Sequence, residues 1–283
     1  MKGKTMIEQD ILKNVKVQIL EKKQPILQTG FSDLDSILSG LENSSIITIG
    51  ARPSMGKTAF ITAIMLNLLE QKKKCLFFSL EMSKARFIKR LISPMTDIEA
   101  IKILASQNQL NTEEKEKVIN AIDKISKYEL TIVDKNVDIK QIKEYIESVK
   151  PEFVFIDYLQ LIKLPNVVER DFAISNFMKE LKTIANQNNC IIFITSQVSR
   201  TVERRSLKWP MLYDLKDSSC IEDISDVVLF VYREEYYNWE DEYYKDKAQI
   251  IIAKNKNGFA GTVDLLFKAN IIKFLEAPCN DTF

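Results

Sequence analysis

Residues 46–69 read IITIGARPSMGKTAFITAIMLNLL, and this stretch decides the fold. Residues 46–49 form a short apolar run of strand-forming residues, and the second half is an apolar segment typical of a helix that begins near Lys57. Between them lies a turn with Ala51 at its first position and Gly-Lys-Thr at its end, which matches the P-loop pattern. A chance Gly-Lys-Thr at a helix start is the alternative, and the flanking strand and helix argue against it.

A P-loop binds a polyphosphate because backbone N–H groups and the positive end of the helix dipole converge on one concavity. Gly56 is expected to let the backbone approach closely, Lys57 to reach the β- and γ-phosphates, and the Thr58 hydroxyl to ligate Mg²⁺. The expected nucleotide contacts are Ala51, Arg52, Pro53, Ser54, Met55, Gly56, Lys57, Thr58 and Ala59. ATP and Mg²⁺ are therefore the expected cofactors.

Composition limits both the fold and the chemistry. A chain of 283 residues with 46% hydrophobic content is long enough for one large α/β domain or two small ones. Its formal net charge is only +1, so any nucleic-acid binding has to come from a local patch. The sequence contains no histidine, which excludes a Ser-His-Asp triad, His-ligated metals and a His general base.

Two further absences in the sequence narrow the class of protein. No run of 18 apolar residues occurs, and the N-terminus MKGKTMIEQD lacks the apolar core of a signal peptide, so we expect a cytoplasmic protein with no membrane partner. The cysteines form no CxxC pair and are far apart, which argues against a zinc site and a disulfide framework. They are Cys75, Cys190, Cys220 and Cys279.

Apolar runs that alternate with helical patterns predict a mostly parallel sheet with helices on both faces. Strands are predicted at 46–49, 75–80, 130–133, 153–156, 190–195, 227–232, 249–254, 262–267 and 271–274. Helices are predicted from 57 onwards, within 84–127, at 139–149 and at 170–187. A turn at 257–261 joins two of the late strands in a hairpin, so we expect an antiparallel extension of the sheet.

The N-terminal residues are predicted to form a separate element. Residues 6–23 carry apolar residues at close to helical spacing, which indicates one apolar stripe on a helix. We expect residues 1–24 to be a linker helix that docks on a neighbouring subunit, and residues 25–283 to be the ATPase domain. The alternative is a helix folded back on its own domain.

Polar residues follow three of the predicted strands, at the edge where ligands bind in open α/β sheets. Asp157 is expected to be a Walker-B aspartate that holds Mg²⁺, although an aspartate after a strand is more often a cap. Glu81 is expected to polarise the attacking water, with a salt bridge as the alternative. Gln197 is expected to contact the γ-phosphate, with a structural hydrogen bond as the alternative.

Residues 199–216 form a locally basic stretch, with a formal charge of +3 from five basic and two acidic residues. Two aromatic residues, Trp209 and Tyr213, are interleaved with the charges, a pattern that suits a loop tracking single-stranded DNA. The alternative is a solvated flexible loop. The basic residues are Arg200, Arg204, Arg205, Lys208 and Lys216.

The chain also resembles a known family through several motifs. They read ARPSMGKTAF, FSLEMS, FIDYLQLI, SQVSR, SDVVLFVYREEYY and IIAKNKNGFAGTVDLLF. These motifs are similar to those of the RecA-like C-terminal motor domain of DnaB-type replicative helicases, and the resemblance runs from about Pro25 to Glu276. It implies a homo-hexameric ring with ATP between subunits, 5′–3′ movement along single-stranded DNA, and a helicase loader or primase as further partners.

The resemblance also assigns residues to roles. Lys57 and Thr58 match the P-loop lysine and Mg²⁺ ligand, and Glu81, Asp157 and Gln197 match the catalytic glutamate, the Walker-B aspartate and the γ-phosphate sensor. Two further motifs match family segments that bind DNA or a neighbouring ATP site. They are Lys216-Asp217-Ser218-Ser219, where the family has a DNA-contacting channel loop Arg-Glu-Ser-Gly, and Lys254 with Lys256, where it has the trans-acting pair Lys-x-Arg.

Three departures from the family pattern are visible. The chain is expected to lack a counterpart of the N-terminal helical domain that engages primase in the family. Ser219 replaces a glycine, which is expected to disfavour a glycine-only backbone geometry. Lys256 replaces the arginine finger. An alternative function is therefore a nucleotide-switched assembly or regulatory module, since the GFSDLDSILSGL lead-in resembles that of other RecA-like proteins.

Overall fold

The computed structural model describes residue 16 and residues 28–105, 110–165, 170–216 and 218–278. These residues form one sheet in the order β3-β2-β4-β5-β1-β6-β7-β8-β9. The strands are β1 Ile46–Ala51, β2 Cys75–Ser79, β3 Leu130–Val133, β4 Phe153–Asp157, β5 Ile191–Gln197, β6 Val227–Tyr232, β7 Lys247–Asn255, β8 Gly261–Lys268 and β9 Lys273–Glu276.

Strands β1 to β6 pair with one another in parallel, whereas β6–β7, β7–β8 and β8–β9 pair antiparallel. β1 lies between β5 and β6 and is buried along its whole length, which explains why its sequence is almost entirely apolar. The predicted α/β sheet with an antiparallel extension is therefore confirmed.

Helices cover both faces of this sheet. The α-helices are α1 Ser32–Leu38, α2 Lys57–Glu70, α3 Lys84–Thr96, α4 Ala100–Leu104, α5 Thr112–Ser126, α6 Ile139–Val149, α7 Arg170–Asn188 and α8 Ser218–Ile224. Side chains cap several of them: Asn111 and Glu114 form the predicted capping box at α5, and Asp138 and Gln141 form another at α6.

Successive strand residues point into two different cores. Phe77, Phe155 and Phe193 stack across β2, β4 and β5 on the face covered by α2, with ring centroids 6.0 and 5.1 Å apart. Phe78 and Ile192 point to the other face, where α6 and α7 pack. The two cores fix the register of each strand. If a strand shifted by one residue, every side chain that packs in one core would move to the other.

The start and the end of the described domain lie next to each other. The Ser32 backbone N–H donates to the Glu276 carboxylate at 2.6 Å. Behind this bond, the ring of Phe60 in α2 contacts Phe31 and Phe274, with centroids 5.6 and 5.3 Å apart. β9 is thereby fixed against the helix that follows the P-loop.

Two sequence predictions differ from the structure. The last strand is Lys273–Glu276 and not 271–274, because Ile272 adopts a positive φ of 56° in the turn before it. Residues 218–224 form helix α8, whereas the resemblance implied a loop at 216–219. Ser219 therefore has helical backbone geometry, which any L-residue adopts, and the expected conflict with a glycine-only geometry is wrong.

The predicted linker helix at 6–23 lies outside the described residues, apart from Lys16. Among the described residues, no helix is long and apolar enough to cross a membrane.

Candidate nucleotide site

The P-loop connects the carboxyl end of β1 to the start of α2, as predicted. Gly56 has φ 99°, a conformation that L side chains rarely adopt. A Cβ placed on it would also lie 3.3 Å from the Phe274 ring. Glycine at this position therefore fits both the backbone conformation and the space between the loop and β9.

Lys57, Thr58 and Asp157 meet at the base of this loop. The Thr58 hydroxyl donates to Asp157 Oδ2 at 2.7 Å, and Lys57 Nζ lies 3.6 Å from Asp157 Oδ1. Thr195 of β5 donates to the same Oδ1 at 2.6 Å and accepts from Lys57 Nζ at 3.3 Å. Asp157 is 2% exposed, so this carboxylate is held by three side chains in a nearly dry position.

The oxygen donors of this cluster suit Mg²⁺. A hydroxyl and a carboxylate are ligands that magnesium prefers, usually with several waters and phosphate oxygens. Thr58 and Asp157 present these two groups 2.7 Å apart. These residues therefore fit the cation that the P-loop predicts.

The ammonium of Lys57 is largely removed from water. Burial lowers its pKa, and the nearby charges of Asp157 and Glu81 oppose that shift. Its Nζ also lies 4.3 Å from the centroid of the Tyr158 ring, which is within the range of a cation–π contact. A bound polyphosphate would favour the charged form further, because it adds negative charge beside a desolvated cation.

Glu81 and Gln197 lie at the same edge of the sheet, and the side chain of neither is bonded to another described residue. Glu81 follows β2, is exposed, and makes no hydrogen bond or ion pair to any described residue. Gln197 ends β5, where the Gln160 side chain accepts from its backbone N–H at 3.3 Å. Its own amide has no partner in the described part of the chain. Both groups are therefore available to a ligand over the P-loop.

Lys254 and Lys256 lie at the opposite edge. Asn255 of β7 pairs with Val227 at the start of β6, which is the amino end of the parallel strands. Lys256 Nζ donates to Asp226 at 3.0 Å, and Lys254 Nζ donates to the Glu222 carbonyl at the end of α8. Neither lysine contacts the P-loop of its own chain.

The family model for the DnaB-like helicase C-terminal domain matches residues 26–276, which is most of the chain. The chain belongs to this family. The resemblance found in the sequence motifs is thereby confirmed.

Curated relatives and solved structures agree with this DnaB-like assignment. A probable replicative DNA helicase of Trieres chinensis is 38% identical over 266 residues, covering 90% of this chain and 58% of the relative. The replicative DNA helicase DnaB of Geobacillus stearothermophilus is 35% identical over 257 residues, covering 88% and 56%. This chain therefore spans a little over half the length of these relatives.

Two solved structures superpose closely on this chain. The ATPase domain of G40P has a TM-score of 0.90 and 34% identity, with 98% of this chain and 100% of that chain covered. A DnaB-like replicative helicase, studied for its interactions with primase, has a TM-score of 0.86 and 33% identity, with 98% and 68% covered. The RecA-like fold expected from the resemblance is confirmed.

The basic segment of this DnaB-like domain, residues 199–216, divides into exposed and anchored cations. Arg200, Arg204 and Lys216 are exposed. Arg205 instead bonds to Asp214 at 2.5 Å, to the Trp209 carbonyl at 3.0 Å and to the Tyr213 hydroxyl, so its guanidinium holds the segment together. Asp217 lies outside the described residues, as does the side chain of Ser219.

Sequence reasoning did not identify three residues of the site. They are Thr195, Tyr158 and Gln160. A polar residue inside the apolar run CIIFIT was a usable signal for Thr195, since a buried hydroxyl needs a hydrogen-bond partner. The YLQL sequence gave no comparable signal, because the roles of its side chains depend on how the chain turns after β4.

Proposed function

We propose that this chain is an ATP-hydrolysing motor that moves along single-stranded DNA and unwinds duplex DNA as a hexameric ring. The observation that carries the proposal is the cluster in which Lys57, Thr58 and Thr195 converge on the buried Asp157 beneath the P-loop. In P-loop enzymes such a cluster binds and positions a nucleoside triphosphate.

In this mechanism the chain's own side chains do the positioning. Lys57 contacts the β- and γ-phosphates, while Thr58 and Asp157 hold Mg²⁺, which neutralises charge on the phosphate oxygens when bound. Glu81 orients and polarises the attacking water from the exposed side of the site. Gln197 donates its amide to the γ-phosphate, so that its position depends on whether this phosphate is present.

The ring is supported by the placement of the trans-acting lysines. Lys254 and Lys256 lie at the amino edge of the sheet, so they reach an ATP site only if that site belongs to a neighbouring subunit. Residues 1–24 are proposed to be the linker helix between subunits. A groove of about 960 Å³, lined by apolar and basic residues of α2, α3 and α5, supports this docking role, because the apolar stripe of the linker helix could pack against its apolar lining. Its lining includes Ala63, Leu66, Met95, Ala121 and Lys124.

Single-stranded DNA is the proposed track, since the exposed cations of the basic segment suit phosphate contacts. Movement in the 5′–3′ direction and a loader or primase partner are proposed from the family. A solved DnaB-like helicase described with its primase interactions supports the latter. A cytoplasmic location follows from the same proposal.

The deciding experiment measures ATP turnover with and without single-stranded DNA, together with the native mass of the protein. We expect turnover to rise with single-stranded DNA under conditions where the native mass is that of a hexamer. Turnover that is indifferent to DNA would contradict the motor and favour an assembly or regulatory module. Deleting residues 1–24 should shift the mass towards monomer, and an unchanged mass would contradict the linker role.

A further inference from the structure

The P-loop and the basic segment contact each other through one arginine. Arg52, the first residue after β1, donates from Nε and Nη2 to Glu203 Oε1 at 2.9 and 2.8 Å. Its Nη1 donates to the Val198 carbonyl at 2.9 Å. The Arg52 side chain is 12% exposed and that of Glu203 38% exposed. One guanidinium from the phosphate loop therefore holds Glu203 inside the basic segment and Val198 immediately before it.

The two ends of the basic segment are joined independently by backbone bonds. Val198 and Leu215 form an antiparallel bridge, the Lys216 N–H donates to the Gln197 carbonyl at 3.0 Å, and the Ser199 N–H donates to the Asp214 carbonyl at 2.7 Å. These bonds fix the ends to β5. Glu203 lies inside the segment, so its ion pair is a second attachment, and this one leads to the P-loop.

Glu203 shares a short 3₁₀ turn, Arg200–Arg204, with two of the exposed arginines. In such a turn the backbone moves as a unit, because each residue is bonded to the one three positions away. A displacement of Glu203 is therefore also a displacement of Arg200 and Arg204. The ion pair consequently connects the loop that surrounds the phosphates to the cations that face solvent.

Tyr237, from the connection between β6 and β7, lies close enough to this ion pair to be influenced by both of its charges. Its pKa is raised by burial and, to a smaller extent, by the charge of Glu203, while Arg52 opposes the shift. On its other side, Lys208 Nζ of the basic segment lies 4.5 Å from the Tyr237 ring centroid. Because the Arg52 side chain is mostly buried, this ion pair is stronger than one in open water, where the effective dielectric constant is higher.

We propose that Glu203 is a positioning residue that couples nucleotide at the P-loop to single-stranded DNA at the basic segment. Arg52 follows the P-loop backbone as it closes on phosphates, and Glu203 passes that change to Arg200 and Arg204. The inference rests on the proposed function, since it requires both ligands. If the Arg52–Glu203 ion pair had a purely structural role, removing it would change the stability of the fold but not the coupling between the two ligands.

The test measures how strongly each ligand changes the affinity for the other. ADP affinity is measured with and without oligodeoxythymidylate, and oligodeoxythymidylate affinity with and without ADP, since the two factors have to agree for coupled sites. We expect Glu203→Gln to bring this coupling factor roughly fivefold closer to one. Glu152→Gln is the matched control, because it removes a similar ion pair with Lys73, at 2.9 Å, at the amino edge.

A charge exchange gives the second arm. Arg52→Glu with Glu203→Arg should recover part of the coupling that Glu203→Gln loses, and thermal unfolding establishes that each variant is folded. If Glu203→Gln is not folded, Glu203→Asp serves instead and should show reduced coupling. Wild-type coupling in Glu203→Gln, or in Glu203→Asp where it serves instead, would overturn the inference, and so would a wild type that binds both ligands without coupling them. A chain that does not bind oligodeoxythymidylate would instead overturn the proposed function.

Discussion

The two edges of the parallel sheet differ in what they contain within one chain. At the carboxyl edge, Lys57 and Thr58 both contact Asp157 and form the base of the proposed nucleotide site. At the amino edge, Lys254 and Lys256 are held by the chain's own Asp226 and by carbonyls of α8. The first edge contains an assembled site, and the second presents cations whose proposed ligand belongs to another subunit. If the proposed ring forms, one chain contributes to two different ATP sites.

Removing the ammonium at the carboxyl edge should have the largest effect. Lys57→Ala is expected to lower ATP turnover about 10³-fold, because this cation contacts the phosphates on which charge develops. Steady-state ATP hydrolysis is the measurement. Lys179→Ala, an exposed lysine on α7, is the control and should keep wild-type turnover. Retained turnover in Lys57→Ala would place the nucleotide site elsewhere.

Glu81→Gln should separate binding from chemistry at the same edge. We expect turnover to fall about 10²- to 10⁴-fold, since the amide is too weak a base to polarise the attacking water. Nucleotide affinity should stay near the wild-type value. Glu81 influences the charge of Lys57 from a distance, but it makes no hydrogen bond or ion pair with Lys57, Thr58 or Asp157. Equilibrium binding of a fluorescent ATP analogue and turnover are measured together. Normal turnover would remove Glu81 from its assigned role.

The amino edge is tested through Lys256. An arginine offers a rigid bidentate fork to phosphate oxygens, whereas a lysine offers a single flexible charge. Because an arginine finger is worth roughly 10³–10⁵ in rate, we expect Lys256→Arg to raise turnover and Lys256→Ala to lower it. Mixing Lys256→Ala subunits with wild-type subunits should poison the resulting rings. Unchanged turnover in Lys256→Ala at concentrations where rings form would refute the trans role.

The smallest effect is expected from the acid that holds Lys256. Burial alone would raise the pKa of Asp226, but hydrogen bonds from Lys182, the Ile46 N–H and Lys256 outweigh it and leave the pKa below its ordinary value of 3.8. Its contribution to stability is therefore present above that value and is lost as pH falls through the lowered pKa. Asp226→Asn should cost about 2 kcal/mol at neutral pH.

Urea unfolding at neutral pH and at acidic pH measures this contribution. The difference in unfolding free energy between wild type and Asp226→Asn should shrink as the acid becomes protonated. Asp123→Asn, on the exposed face of α5 and without an ion pair to a described residue, is the control. A difference that stays constant with pH would mean that the Asp226 charge does not stabilise the fold.

Local patterns predicted the elements and the carboxyl edge well. The strand at 130–133 and the helix at 139–149 have the predicted bounds, because an apolar run marks the strand and Pro151 stops the helix. The polar residues at the carboxyl ends of β2, β4 and β5 were predicted to share one edge of the sheet, since parallel strands place their carboxyl ends together.

Contacts between distant residues were not predictable in the same way. The bond between Arg52 and Glu203 joins residues far apart in sequence, and nothing local distinguishes this glutamate from other exposed ones. Arg205 was expected to face DNA, yet it is engaged by Asp214 within the segment. Helix α8 was not predicted, because seven residues are too few to show the periodic spacing of apolar residues that identifies a helix.

The hydrogen bond between Ser32 and Glu276 has a topological consequence. With its two ends adjacent, the domain is close to a circular chain, and its sheet order does not depend on where that circle is opened. A circular permutant that joins these ends and opens at Phe259, 85% exposed in the hairpin between β7 and β8, should keep the same sheet. Its new termini would emerge at the amino edge, beside Lys256, where a reporter group would sense an approaching neighbour.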